Sequence, residues 1–117
     1  MLLKQTMLAM RVTDMEYAPD ILRLLEAGKR DLEMAGVVIR GEIDIDITEN
    51  ENTGEITVTD NSSIDDSLVV TALITYAQAR GDYAGADEKT RLETSYDLQR
   101  KQLANATGYT DWKAGKA

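Results

Sequence analysis

Four residues fall on the spacing of a calcium-binding loop: Asp44, Asp46 and Thr48 take its first, third and fifth positions, and Glu55 its twelfth. Oxygen ligands at those offsets can wrap a hard cation. The sixth position of such a loop needs glycine for its sharp turn, and here it holds Glu49. The flanking residues also read as strands rather than helices, so the plainer reading is the solvated face of a hairpin. A carboxylate pair could instead do general acid–base work of the glycosidase kind. Acids are so crowded here that some pair always fits, and nothing marks a substrate cleft. Lys4, Lys29, Lys89, Lys101, Lys113 and Lys116 could in principle form Schiff bases, but each lies in a polar setting and reads as a solvated charge.

The absences exclude more. The chain has no Cys and no His. That removes disulfides, thiolate nucleophiles, Cys/His zinc sites, the histidine of a serine-hydrolase triad and the usual proton shuttle. The eight glycines are scattered and none precedes Lys-Ser or Lys-Thr, so there is no phosphate loop. No apolar run approaches the ~18 residues of a membrane span. Met1-Leu2-Leu3-Lys4-Gln5 turns polar too quickly for a signal peptide, so synthesis in the cytoplasm is expected. On these grounds no catalysis, cofactor or metal is expected.

The charge is local. Between Gly41 and Asp66 there is no Lys or Arg, yet there are nine carboxylates: Glu42, Asp44, Asp46, Glu49, Glu51, Glu55, Asp60, Asp65 and Asp66. The net charge of -8 therefore belongs to this stretch, because twelve acids face thirteen bases elsewhere. An acidic chain of this kind is a poor fit to DNA, whose phosphates need cations opposite them. A length of 117 residues fits one domain, and 43% hydrophobic content is ordinary for a folded one.

The elements that must position these acids follow from periodicity. Leu3, Met7, Leu8 and Met10 give a short helix over residues 2–12. Thr13-Asp14-Met15-Glu16 fits a capping box, and Pro19 suits a first helical turn. Ile21, Leu24, Leu25, Gly28, Leu32 and Ala35 then form one helical stripe, with Glu26 and Arg30 four apart on the other face and Gly36 as the C-terminal cap. Val37-Val38-Ile39 is β-branched. Ile43 to Ile47 and Glu55 to Thr59 alternate strictly around Asn50-Glu51-Asn52-Thr53-Gly54, which predicts a hairpin with Ile43, Ile45, Ile47, Ile56 and Val58 on its apolar face. Ser62 and Ser63, each three residues before an acid, suit the N-cap of a helix over 64–80 that is apolar nearly all round. Its own chain is not expected to cover it completely, so Val69, Leu73 and Tyr76 are candidates for core or subunit contact. Gly81 to Gly85 is a joint. A last helix over 87–106 carries Leu92, Tyr96, Gln99, Leu103 and Ala106, and Gly108 caps it. Tyr76, Tyr83 and Tyr96 read as packing residues.

The resulting expectation is a mainly α fold: a small bundle of about four helices, residues 1–109, with one inserted acidic β-hairpin at about 37–60 and a flexible tail, 110–117. Tyr109 and Trp112 either dock back on the helices or contact a partner. The hairpin acids have two readings. They keep an exposed edge strand from aggregating, which the residues alone favour, or they line a channel and repel a passing polyanion.

This order of elements resembles the head–tail connector (head-completion or adaptor) proteins of tailed bacteriophages. The segment Pro19 to Glu33 is similar to the family's first main helix, with acids, the double Leu24-Leu25 and a later Leu32-Glu33. Leu68 to Arg80 is similar to the second, an apolar helix closing in Tyr76 and Arg80, and Tyr96 to Leu103 to the last. Many members follow that last helix with a Pro- or Arg-containing segment, where this chain has Gly108-Tyr109-Thr110-Asp111-Trp112. The resemblance implies a structural subunit of a typically dodecameric ring at the virion's head–tail junction. Such a ring docks beneath the portal protein and extends the DNA channel without sequence-specific binding. It is also a platform for the next tail-side protein, with no cofactor and no membrane involved. Within that reading Glu42, Asp44, Asp46, Glu49, Glu51 and Glu55 are candidates to face the channel or a neighbouring subunit, Val69, Leu73 and Tyr76 are candidates for a subunit interface, and Tyr109 and Trp112 are candidate partner contacts at the point where the chain departs from the family. Two rival readings are an acidic regulatory module that mimics nucleic acid toward a basic partner, and a calcium-loaded module.

Overall fold

A computed structural model describes residues 2–81 and 85–105. The elements run α1 (Leu2–Ala9), α2 (Ala18–Met34), β1 (Ile45–Glu49), β2 (Ile56–Asp60), α3 (Ser67–Arg80) and α4 (Ala86–Asn105), with a 3-10 turn at Met15–Tyr17 leading into α2. The fold is thus mainly α, four helices with an antiparallel hairpin inserted between the second and third. The molecule measures 54 × 33 × 19 Å.

Helix α2 forms where the stripe predicts it. Ala18, Ile21, Leu25, Gly28 and Leu32 are buried, and Pro19 sits in the first turn, where its missing N–H costs no bond. The ion pairs on its outer face are Arg23–Asp20 and Lys29–Glu33, at 2.8 and 3.0 Å, rather than Glu26–Arg30. Gly36, at φ +96, closes the helix: its N–H reaches the Glu33 carbonyl and the Val37 N–H reaches that of Leu32, both at 3.0 Å. Helix α1 ends by the same motif, with the Arg11 N–H on Leu8 at 3.1 Å and the Val12 N–H on Met7 at 2.9 Å. Here the left-handed position is held by Arg11, at φ 59. That turn stops α1 at Ala9, three residues before the expected end. In the following turn the capping group is Asp14, which accepts from the Glu16 N–H, not Thr13.

Helix α3 is the centre of the bundle. It packs on α1, α2 and α4, and Val69, Ala72, Leu73, Thr75, Ala77 and Ala79 are buried. The chain's own helices therefore supply most of its cover; Leu68, 58% exposed, is the large apolar residue left outside. The helix begins at Ser67, not 64, because the cap is Asp66, whose carboxylate accepts from Leu68 and Val69 N–H at 2.9 and 3.3 Å. Ser62 and Ser63 have another task, described below. On α4, Tyr96 and Leu103 point inward, with Leu92 and Gln99 half-buried beside them. Ala106, Gly108 and Tyr83 lie outside the described residues.

Candidate functional site

The hairpin is shorter than expected. Val37 is buried and makes only an isolated bridge, and regular pairing starts at Ile45. Its register sets which side chains share a face. Ile45 stands opposite Asp60, Ile47 opposite Val58 and Glu49 opposite Ile56 on one side; Asp46 faces Thr59 and Thr48 faces Thr57 on the other. Ile43, Ile45, Ile47 and Val58 pack against the helical core. The pair Glu49–Ile56 and the turn beyond it lie past that packing, so the tip projects. The turn is built by Asn50, whose side-chain carbonyl accepts from the Asn52 and Thr53 N–H groups at 2.8 and 3.3 Å.

The base is pinned in four ways. Below the regular ladder, Asn61 N–H bonds the Asp44 carbonyl at 2.7 Å and Ser63 N–H that of Glu42 at 2.9 Å. The hydroxyls of Ser63 and Ser62 accept from the Glu42 and Asp44 N–H groups at 2.8 and 3.0 Å, so these serines extend the ribbon instead of capping a helix. Gly41, at φ +97, lies so close to the returning strand that a Cβ there would meet the Ser63 carbonyl oxygen at 2.6 Å. Finally, Asp60 ties the hairpin to α1: its two carboxylate oxygens accept from the Leu3 N–H at 2.9 Å and the Ser62 N–H at 3.0 Å. Burial pushes the Asp60 carboxyl up, but these hydrogen bonds outweigh it and hold it below the usual aspartate value.

The six candidate hairpin acids are all exposed, and none is within ion-pair distance of a cation among the described residues. They do not form one plane. Asp44 and Asp46 share the outer face with Thr48, Thr57 and Thr59; Glu49, Glu51 and Glu55 surround the tip; Glu42 sits at the base, beside Lys29 and Arg30 of α2. Asp46 and Thr48 lie on β1 with Asp44 immediately before it, rather than around a loop, and among the described residues no cluster of three acids is placed to hold a metal ion.

The interface candidates lie elsewhere. Val69 and Leu73 are 2% and 0% exposed inside this chain's own core, so neither offers a surface to a neighbour. Tyr76 is half-buried, over Gly28 and edge-on to Tyr96, with ring centroids 5.2 Å apart, and Arg80 stands 5.4 Å from its ring. Tyr109 and Trp112 lie outside the described residues.

Two constellations escape sequence reasoning. One is the Asp60 link to Leu3, which joins residues 57 positions apart. The other is Asp31, Tyr96 and Arg100. The Tyr96 hydroxyl donates to Asp31 Oδ2 at 2.6 Å, and burial, then that bond, pushes the phenol well above its ordinary pKa. Arg100 Nε is 3.2 Å from the same oxygen, an ion-pair contact whose N–H is not aimed at it. The open cleft beside them, lined by Arg80, Glu93 and Asp97, is polar. Its Asp31 is already engaged in tying α2 to α4. An apolar groove of about 390 Å³ lies between α1, the loop to α2 and β2. No family model, curated protein or solved structure matches this chain.

Proposed function

We propose that the protein is a structural subunit of a bacteriophage head–tail connector ring, seated beneath the portal, where it extends the DNA channel and gives the tail a platform. The observation that supports this reading is the hairpin: a ribbon pinned at its base, with exposed carboxylates on its outer face and projecting tip that form no ion pair among the described residues. A phosphate backbone binds where cations are offered and is repelled by a wall of anions. Charges act over only about 8 Å in physiological salt, so such acids serve a channel only if they line it directly. The ring's copy number multiplies them around the lumen. Subunit contacts, with Val69 and Leu73 committed to the core, fall to the exposed apolar residues, Leu68, Leu98 and Met34.

Co-sedimentation of the purified chain with a portal ring encoded by the same genome tests this. A complex with one connector chain per portal chain, or a ring seen by electron microscopy, is the expected result. Failure to bind the portal at any concentration would overturn the reading. Tight, salt-sensitive binding to a basic protein instead would favour an acidic mimic.

A further inference from the structure

The ladder of the hairpin decides which backbone groups look outward. Asn50 N–H bonds the Glu55 carbonyl at 2.8 Å, and Asn61 N–H that of Asp44 at 2.7 Å. In an antiparallel pair, hydrogen-bonded and non-hydrogen-bonded positions alternate. Asp46–Thr59 and Thr48–Thr57 are therefore bonded pairs, while Ile47–Val58 and Glu49–Ile56 are not. Ile56 and Val58 turn both N–H and C=O to the outer edge of β2, and no hydrogen bond from another described residue reaches them there. Ile45 and Ile47 do the same on the outer edge of β1. Such a row of groups is a template for another strand.

The two edges differ in what lies beside them. Next to β1 runs α2, and the hollow at its base is lined by Glu26, Lys29, Arg30, Glu33 and Glu42 around Ile43. Next to β2 lies the apolar groove of about 390 Å³, walled by Val58 and by Leu3, Met7, Leu8, Val12 and Met15. Leu8 and Met15 are 67% and 36% exposed, so among the described residues nothing covers them. Val58 points toward the helices. A strand laid along β2 would turn its alternate side chains the same way, into the groove.

Charge selects the occupant. A second copy paired edge to edge would set the same carboxylates beside their own image, and like charges across a sheet are destabilising. A basic strand is attracted instead. Strands lie about 4.8 Å apart, so an outward lysine or arginine stands two strands from Asp46, and its long stem leans toward that acid and toward Glu55. Lys4, on the groove's rim, opposes a cation on the inward side.

We propose that the free edge of β2 is a docking site for an extended segment of a partner protein in which apolar residues alternate with lysine or arginine. Its backbone extends the hairpin to three strands through Ile56 and Val58. One inward apolar side chain fills the groove over Leu8 and Met15, and its cations face outward beside Asp46 and Glu55. Main-chain bonds give such a site its affinity, and the socket gives it selectivity. The site stands independently of the connector reading, because the edge and the groove are separate from the hairpin's outer face.

The probe is a blocked peptide of about seven residues, alternating lysine with valine around a central anchor of leucine, methionine, phenylalanine or tryptophan. In nuclear magnetic resonance titration of the isotope-labelled full chain, at least one version should shift the amides of Ile56 and Val58 more than those of Ile45 and Ile47. It should also slow their exchange with solvent. N-methylation along one edge of the peptide should weaken binding roughly tenfold or more, and along the other edge little. Leu8→Glu, at an exposed position, should keep the far-UV spectrum and separates socket from charge. It weakens binding if the groove holds the anchor, and strengthens it if the acids alone attract the peptide. No binding by any version at millimolar concentration would overturn the proposal. So would stronger binding by the Leu8 variant, equal binding by a peptide with its lysines grouped at one end, or equal tolerance of N-methylation on both edges. Larger shifts on β1 than on β2 would also overturn it, as would slowed exchange at Ile56 and Val58 without peptide, which would assign the edge to a second copy.

Discussion

Asp60→Asn is the substitution that most sharply probes how the hairpin is held. The carboxylate uses one oxygen for Leu3 N–H and the other for Ser62 N–H, at 2.9 and 3.0 Å. An amide has one acceptor, so Asn turns its NH2 toward one of these donors and loses that bond. It also removes a negative charge from the first turn of α1, where the helix dipole favours one. A lost cap costs about 1 kcal/mol and the missing charge up to about another, so the expected loss is roughly 1–2 kcal/mol. For a domain of 117 residues that lowers Tm by roughly 4–10 °C. The pH dependence provides a second handle. The folded-state pKa lies below the unfolded value, so the stabilisation is present above the usual aspartate range near 3.9 and is lost as pH falls through the folded pKa. Thermal melts by circular dichroism between pH 7 and pH 2 should therefore show the unaltered chain converging on the variant at the acid end. Hydrogen exchange should show faster exchange at Leu3. A variant as stable as the parent at pH 7, or a gap that persists at pH 2, would refute this account of the hairpin's anchor.

Other changes test other joints. Leu73→Ala opens a cavity in a side chain that is 0% exposed, and should cost about 2–5 kcal/mol in urea unfolding even of a dilute monomer; no loss there would mean that Leu73 serves a neighbour instead. Tyr96→Phe removes the bond to Asp31 and should cost about 1–2 kcal/mol at neutral pH by chemical denaturation. Because the folded pKa of Tyr96 is raised, its contribution is complete below the ordinary tyrosine value near 10 and falls away above it, so the variant should lack that part of the parent's alkaline destabilisation. Arg11→Gly relieves a left-handed residue in a helix-closing turn and should raise stability by up to about 1 kcal/mol in the same assay.

Local patterns carried much of this fold in the sequence, and long-range partners did not. The stripe Ile21–Leu25–Gly28–Leu32 is legible because α2 has one buried and one wet face. The hairpin is legible because Ile43 to Ile47 alternates around an Asn/Gly turn. Helix α3 is harder: its apolar residues go nearly all round, and periodicity cannot say whether its own chain or a neighbour covers it. Only the packing of α1, α2 and α4 places Val69 and Leu73 inside. Ser62 and Ser63 look like caps in sequence, yet their hydroxyls complete the strand pairing with Glu42 and Asp44. The number of acids was plain, but their division among outer face, tip and base depends on the register, with Asp46 opposite Thr59 and Glu49 opposite Ile56. Asp60 looked like one more acid because its partner is 57 residues away.

The claim that the chain places its acids along a DNA path is tested most directly by electron cryomicroscopy of the protein bound to its own portal ring. The account predicts a closed ring coaxial with the portal, with Asp44, Asp46 and the tip around Glu51 turned to the lumen and no density bridging them to DNA. Hairpins pointing outward into solvent, or a portal that emerges without the protein attached, would contradict it.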